Sequence, residues 1–145
     1  MDITLLIQEL RRDEGVRYSP YLDSKGIKTV GVGHNMIANP LVNEIYPLTD
    51  DQVNDILSDD LKNIFSALDN NLPWWSSLDE VRQRILANMA FNMGIHTLLE
   101  FHNTLGAIQL GDYLGAANGM RNSAWAHQVG QRAERLAQAM QTGVM

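Results

Sequence analysis

One short segment of this chain has the character of β-strands, and helical patterns lie on both sides of it. Residues 16–34 are rich in strand formers and contain a turn at residues 23–26, which ends in a glycine. The segment before it carries apolar side chains at helical spacing: Ile3, Leu6, Ile7 and Leu10. The sequence therefore predicts a small antiparallel hairpin or three-stranded sheet within a mainly helical α+β fold.

A long helix should follow the sheet after a loop. Residues 35–48 show little periodicity and contain two prolines, which favours a loop. Thr49 and Gln52 have the spacing of a capping box, in which each residue satisfies a backbone N–H of the other. The apolar repeat continues as far as Leu68, so this helix is long enough to join two lobes.

Shorter helices are predicted for the rest of the chain. Ser77 and Glu80 have the spacing of a second capping box, and Gly94 should end the helix that they begin. The last helix should run from about Gln131 to Gln141. Nothing in the sequence suggests an internal repeat or a low-complexity tract.

Composition and charge exclude several classes of function. The net charge of −6 argues against a protein that coats nucleic acid, because such binding depends on clustered lysine and arginine. The chain has no cysteine, so a disulfide framework and thiolate chemistry are excluded. No apolar run approaches the length that spans a bilayer, and no export signal is expected. Contact with any anionic partner would need local positive charge, for which the candidates are Arg121, Arg132 and Arg135.

Two carboxylic acids and a hydroxyl are the candidate catalytic groups. Glu14 should lie at the C-terminal end of the first helix, where the helix dipole favours its protonated form. Asp23 lies in a polar turn and should stay ionised, and Thr29 can hold a water. An acid, a carboxylate and a positioned water are the groups that glycoside hydrolysis by water attack requires.

The joint pattern of these residues resembles a known family. It comprises Asp13-Glu14-Gly15, Tyr21-Leu22-Asp23, Gly26 and Thr29-Val30-Gly31-Val32-Gly33-His34. The similarity continues through residues 88–94, 101–105, 125 and 132–135, so it covers nearly the whole chain. The chain is similar to the phage-type lysozymes, the endolysin muramidases of glycoside hydrolase family 24.

The resemblance implies a lysozyme-like fold in a single domain of residues 1–145. A small β-hairpin lobe of about residues 15–57 and a larger helical lobe of about residues 1–14 plus 58–145 would be joined by the long helix. The catalytic cleft would lie between the two lobes.

Roles for individual residues also follow from the resemblance. Glu14 would be the general acid, and Asp23 with Thr29 would position the water of an inverting hydrolysis. The residues that would bind the saccharide are Asn35, Phe91, Thr104 and Asn118. Supporting ion pairs would join His34 to Asp60, Arg132 to Glu14, and Arg135 to Asp13.

The expected partner is the glycan strand of peptidoglycan, cut at the β-1,4 bond between N-acetylmuramic acid and N-acetylglucosamine. No cofactor is expected, and His96 and His102 lack further ligands at zinc-site spacing, so no metal is expected either. We expect a monomer without nucleic-acid partners or stable membrane insertion. As an endolysin it would stay in the host cytoplasm, without a signal peptide, until a separate holin allowed its release.

Two other classes of function stay open at this stage. A lytic transglycosylase cuts the same bond with one acid and an internal sugar hydroxyl, so it does not require Asp23 and Thr29 together. Analysis of the reducing ends would distinguish it from a hydrolase. A non-catalytic wall-binding protein would keep the fold but would not depend on Glu14, because a fold does not imply a function.

Overall fold

The computed structural model describes residues 1–145 and is mainly helical, with one small sheet. Its elements, in chain order, are α1 Ile3–Glu14, β1 Arg17–Leu22, β2 Lys28–Gly31, β3 His34–Asn35, α2 Asp50–Asn71, a 3₁₀ helix Pro73–Ser77, α3 Glu80–Met93, α4 Ile95–Leu99, α5 His102–Leu110, α6 Tyr113–Arg121, α7 Ala124–Val129 and α8 Gln131–Thr142. The predicted mainly helical α+β, lysozyme-like fold class is therefore confirmed.

The sheet has three antiparallel strands in the order β1-β2-β3. Tyr21 pairs with Thr29 across β1 and β2, and Thr29 pairs with Asn35 across β2 and β3. The register of β1 against β2 shifts between Arg17 and Tyr21, so β1 carries a bulge or irregularity there. Of the two sheets that the sequence allowed, the three-stranded one is present.

The chain divides into two compact units. One unit, Asp2–Asn63, contains α1, the sheet and the first part of α2, and the other contains Met1 and Ile64–Met145. Helix α1 thus belongs to the same compact unit as the sheet. The single lysozyme-like domain, with a small lobe of about residues 15–57 and a helical lobe of about residues 1–14 plus 58–145, stays a prediction.

Apolar side chains that are fully buried form the core of each unit. In Asp2–Asn63 they include Leu6, Leu10, Val30, Val53, Leu57 and Leu61. In Ile64–Met145 they include Leu68, Ile85, Leu86, Met89, Leu98, Met120, Leu136 and Met140. Those on α1, α2, α3 and α8 recur at helical spacing, so the periodic pattern of the sequence marks the buried faces of these four helices.

The start of α2 has the predicted capping box. The Thr49 N–H donates to Gln52 Oε1 at 2.8 Å, and the Gln52 N–H donates to Thr49 Oγ1 at 3.1 Å. Two backbone N–H groups at the helix start are therefore satisfied by side chains. None of the helices combines the length and apolar character that crossing a membrane requires.

The predicted capping box of Ser77 and Glu80 is wrong. Ser77 belongs to the 3₁₀ helix, and the residue that caps α3 is Asp79, whose carboxylate accepts from the Arg82 N–H at 3.2 Å. The extended conformation of Asp79 places its side chain over the first turn of α3. Gly94 ends α3 as predicted, and α8 ends at Thr142, one residue beyond its predicted end.

Arg82 connects several elements of the Ile64–Met145 unit. Its Nε donates to the Met140 carbonyl at 2.9 Å, and its Nη1 donates to Asp79 Oδ1 at 3.0 Å. Its guanidinium also lies 3.4 Å from the centre of the Tyr113 ring. One side chain therefore satisfies a carbonyl at the end of α8, contacts the N-cap of α3 and stacks on the first residue of α6.

Candidate active site

Glu14 is the last residue of α1, and its side chain is half-buried. One turn earlier, Arg11 connects α1 to α2, because its Nη1 donates to Asn54 Oδ1 at 2.9 Å and its Nη2 donates to Asp50 Oδ1 at 2.8 Å. Leu10, fully buried, packs the same end of the helix into the core. The position of the Glu14 backbone is thus fixed by polar and apolar contacts together.

Asp23 lies in the turn between β1 and β2, and the turn holds its carboxylate. Its Oδ1 accepts from the backbone N–H groups of Lys25 at 2.8 Å and Ile27 at 2.9 Å. Its own N–H donates to the Ile27 carbonyl at 3.0 Å, and its carbonyl accepts from the Gly26 N–H at 2.9 Å. Both side-chain hydrogen bonds use Oδ1, so Oδ2 is available to accept from another group.

Thr29 is on β2, two residues beyond this turn, and is only 3% exposed. Its hydroxyl donates to the Ile27 carbonyl at 2.8 Å. A hydroxyl has one proton to donate, so the remaining lone pairs of Oγ1 can only accept. The structure thus brings Asp23 and Thr29 together through one shared neighbour, the backbone of Ile27.

Asn35 pairs with Thr29 on the neighbouring strand. Its Oδ1 accepts from the N–H groups of Ile37 and Ala38, each at 2.9 Å, and so closes the turn that follows β3. The amide NH₂ of Asn35 is the group left for a ligand. Its role in saccharide binding stays a prediction.

His34 and Asp60 are in contact. The distance from His34 Nδ1 to Asp60 Oδ2 is 2.8 Å, and His34 Nε2 lies 2.8 Å from the Asn39 carbonyl oxygen. Because a carbonyl oxygen only accepts, Nε2 carries the proton in that second bond. The His34 ring is buried and connects β3 to α2 and to the following loop. That its role is structural stays a prediction.

Thr104 lines a surface cavity of about 410 Å³ in the Ile64–Met145 unit. The other lining residues are Glu100, Phe101, His102, Asn103, Gly119 and Ser123. A Cβ on Gly119 would lie 2.4 Å from Thr104 Oγ1, so a larger residue there would collide with the Thr104 side chain. The close approach of α5 and α6 therefore depends on glycine.

The other two predicted saccharide-binding residues are in the same unit but outside this cavity. Phe91 is half-buried on α3, and Asn118 is exposed on α6 beside Gly119, which does line the cavity. Phe101, His102, Asn103 and Ser123 were not predicted as site residues. The first three lie in the segment 101–105 that carries the family resemblance, and that segment is the signal that could have found them.

Arg132 is buried, and both its Nε and its Nη2 donate to Asn88 Oδ1, at 3.0 and 2.8 Å. Its predicted pairing with Glu14, and that of Arg135 with Asp13, stay predictions. Positive charge at Arg121 is compensated, because its Nε lies 3.1 Å from Glu134 Oε2. Arg121 and Arg132 are therefore not the exposed charges that contact with an anionic wall would use.

Asp50 is the carboxylate whose pKa is clearly lowered by its surroundings. The Tyr18 hydroxyl donates to Asp50 Oδ1 at 2.7 Å, and this hydrogen bond is the main cause that holds the pKa of Asp50 below its ordinary value of 3.8. The hydrogen bond from Arg11 acts in the same direction. The charged form of Asp50 thus connects β1, α1 and α2 at the start of the long helix.

Comparison with known proteins identifies the family. The family profile "Phage lysozyme" matches residues 11–141. The chain is 28% identical over 95% of its length to the pre-baseplate central spike protein Gp5 of Enterobacteria phage T4, but it covers only 28% of that protein. It is 27% identical to the probable T4-type lysozyme 1 of Dictyostelium discoideum, over 94% of this chain and 93% of the relative.

Two relatives are named as endolysins. The endolysin of Salmonella phage P22 is 28% identical over 77% of this chain and 75% of its own length. The SAR-endolysin of Escherichia phage Mu is 31% identical over 78% of this chain and 62% of its own length. The resemblance to phage-type lysozymes is thus confirmed: the chain belongs to the phage lysozyme family, and its enzyme class is glycosidase (lysozyme).

Proposed function

We propose that this chain hydrolyses the β-1,4 bond between N-acetylmuramic acid and N-acetylglucosamine in peptidoglycan, with Glu14 as general acid. Asp23 and Thr29 hold the attacking water, and the reaction inverts the anomeric centre. Family membership supports the coarser statement, a lysozyme that acts on peptidoglycan. The arrangement of Asp23 and Thr29 supports the finer one.

The direction of the hydrogen bonds at Asp23 and Thr29 carries this proposal. Thr29 Oγ1 gives its proton to the Ile27 carbonyl, and Asp23 Oδ2 is an unprotonated acceptor when the carboxylate is charged. A water between them donates both of its protons and keeps a lone pair for the anomeric carbon. A base and a positioned water opposite an acid are the arrangement of inverting glycosidases.

Product analysis with an acid-deficient variant tests the proposal. Glu14→Gln keeps the shape of the side chain but cannot donate a proton to the leaving oxygen, so we expect turnover to fall by about two to four orders of magnitude. Mass spectrometry of digested peptidoglycan should show hydrated reducing ends from the wild type. Glu44→Gln, on the loop before α2, is the matched control and should keep full activity.

Three results would contradict the proposal. Anhydro ends from the wild type would indicate a transglycosylase, and ends at N-acetylglucosamine would indicate the other glycosidic bond. Wild-type turnover by Glu14→Gln would exclude the general-acid role, provided that both proteins show the same thermal unfolding.

Saccharide binding is proposed for Asn35, Phe91, Thr104 and Asn118. The position of Thr104 in the wall of a cavity and the pairing of Asn35 with Thr29 support this proposal. Substitution of Thr104 by Val keeps the shape of the side chain and removes its hydroxyl. If that hydroxyl binds substrate, KM should rise with little change in kcat.

The biological role that we propose is that of a monomeric phage endolysin, which stays in the host cytoplasm until a holin releases it. The similarity to the P22 endolysin supports this role. Expression in a bacterial host with and without a holin tests it, because lysis should occur only when both proteins are present. Lysis without the holin would contradict the proposed route, and light scattering of the purified protein would test the monomeric state.

A further inference from the structure

We propose that Gly26 and the backbone of Ile27 form the positioning element of the catalytic water, which they orient through both of its protein partners. This inference rests on the proposed function, because it concerns the water that Asp23 and Thr29 are proposed to hold. Neither Gly26 nor Ile27 needs to touch substrate. Their role is to fix the direction in which the two side chains present their acceptor oxygens.

The peptide groups of Ile27 contact both side chains of the proposed water site. Its N–H donates to Asp23 Oδ1 at 2.9 Å, and its carbonyl accepts from the Thr29 hydroxyl at 2.8 Å. The same carbonyl accepts from the Asp23 N–H at 3.0 Å. Displacement of this one residue would therefore move the acceptor oxygens of Asp23 and Thr29 together.

These bonds also decide the polarity of the proposed water site. The Ile27 N–H, together with that of Lys25, occupies Oδ1 of Asp23, which leaves Oδ2 for the water. The Ile27 carbonyl takes the only proton of the Thr29 hydroxyl. Both side chains then act only as acceptors toward the water. If the Thr29 hydroxyl turned its proton toward the water, it would occupy one of the two lone pairs of the water and make the water oxygen less nucleophilic.

Gly26 gives the turn the conformation that brings Ile27 back over Asp23. Its backbone φ is +77°, a value that residues with a branched Cβ rarely adopt. A Cβ at this position would meet nothing within 4 Å, so the requirement for glycine is conformational and not steric. Asparagine adopts positive φ more readily than valine does, so these two substitutions separate conformation from side-chain size.

The experiment compares Gly26→Val and Gly26→Asn with a matched control, Gly111→Val. Gly111 also has a positive φ, +80°, and open space around its Cβ, but it ends α5 in the other compact unit. We expect Gly26→Val to lower kcat on soluble glycan fragments on the order of 100-fold with KM nearly unchanged, since misplacement of a reacting group costs about that much. Gly26→Asn should recover most of this loss, and Gly111→Val should lower the Tm but leave kcat unchanged.

A second variant guards against misfolding of Gly26→Val. Replacing Ile27 by its α-hydroxy acid turns the amide into an ester, which removes the Ile27 N–H that donates to Asp23 Oδ1 and keeps the side chain and the Lys25 N–H. This variant should also lose kcat and keep KM. Wild-type kcat in either Gly26→Val or the ester variant would overturn the inference, as would a loss in Gly26→Asn equal to that in Gly26→Val. The proposed function is tested by different results, namely the products of the wild type and the activity of Glu14→Gln, so a failure of either proposal can be recognised by itself.

Discussion

At the scale of single residues, Asp50 shows how one carboxylate is held by groups from two other elements. The hydroxyl of Tyr18 on β1 and the guanidinium of Arg11 on α1 both donate to its Oδ1. Both hydrogen bonds favour the charged form, which is why the pKa of Asp50 lies below its ordinary value. A group with a lowered pKa in the folded state stabilises the fold above its unfolded pKa, and this contribution is lost as the pH falls through the folded value.

We therefore predict that Tyr18→Phe raises the pKa of Asp50, because it removes the largest cause of the lowering. Carboxyl-carbon NMR of Asp50 between pH 2 and 6 would measure the change. The stability that the Asp50 charge contributes should be smaller in the variant, and as the pH falls it should be fully lost at a higher pH than in the wild type. Tyr46→Phe is the control and should leave the titration of Asp50 as it is. A pKa in Tyr18→Phe equal to that of the wild type would exclude the hydrogen bond as the cause.

His34 gives a second prediction at this scale. His34→Ala leaves the Asp60 carboxylate and the Asn39 carbonyl without their partner, so we expect a loss of about 1–3 kcal/mol in the free energy of unfolding. Urea denaturation measures this loss, and activity per folded molecule should change little. The exposed His127, replaced by Ala, is the control. An unchanged midpoint in His34→Ala would reject a structural role for the pair.

At the scale of elements, the start of α3 shows that several residues compete for one cap. Ser77 has the spacing of a capping box with Glu80, but Pro73 begins a 3₁₀ helix that includes Ser77. Asp79 is the next polar residue in an extended conformation, and it becomes the N-cap. Arg82 donates to the Asp79 carboxylate from both its backbone and its side chain, and these two hydrogen bonds stabilise Asp79 as the N-cap.

A comparison of Asp79→Ala with Ser77→Ala tests which residue caps α3. Loss of the N-cap should cost about 1 kcal/mol in the free energy of unfolding for Asp79→Ala. Ser77→Ala removes no capping hydrogen bond and should lie within about 0.5 kcal/mol of the wild type. Chemical denaturation of both variants measures the difference, and equal effects would show that Asp79 is not the dominant cap.

At the scale of the whole molecule, the negative charge opposes the approach to an anionic substrate. The net charge is −6, and Arg121 and Arg132, two of the three candidates for local positive charge, are paired or buried. Repulsion between two negatively charged bodies weakens as salt shortens the Debye length, from about 30 Å at 0.01 M to about 10 Å at 0.1 M. Salt should therefore assist the encounter of this protein with the wall.

We accordingly predict that the rate of wall lysis rises severalfold between about 10 and 100 mM salt, over which the Debye length falls about threefold. Turbidity of purified walls measures this rate. Purified walls whose carboxylates are blocked as uncharged amides are the control substrate, and their lysis should be insensitive to salt over the same range. A lysis rate that falls with salt would show that local positive charge governs the encounter instead.

The sequence by itself determined those features that depend on local patterns. Apolar periodicity marked α1, α2 and α8, the capping box of Thr49 and Gln52 placed the start of α2, and strand formers around a glycine turn placed the sheet. Each of these signals acts between residues a few positions apart, so it can be recognised without a structure. The family could be inferred from the sequence because the types of these residues and the spacing between them together match the family.

The tertiary structure alone decided which groups meet across longer distances. The hydrogen bonds from Tyr18 to Asp50, from Arg82 to the Met140 carbonyl and from Arg132 to Asn88 join residues 32 to 58 positions apart, and no local pattern specifies them. Even within the short segment from Asp23 to Thr29, hydrogen-bond directions had to be read from coordinates, because the shared partner is the backbone of Ile27. Every residue type except proline has the same backbone donor and acceptor, so the sequence cannot reveal which peptide group orients a site.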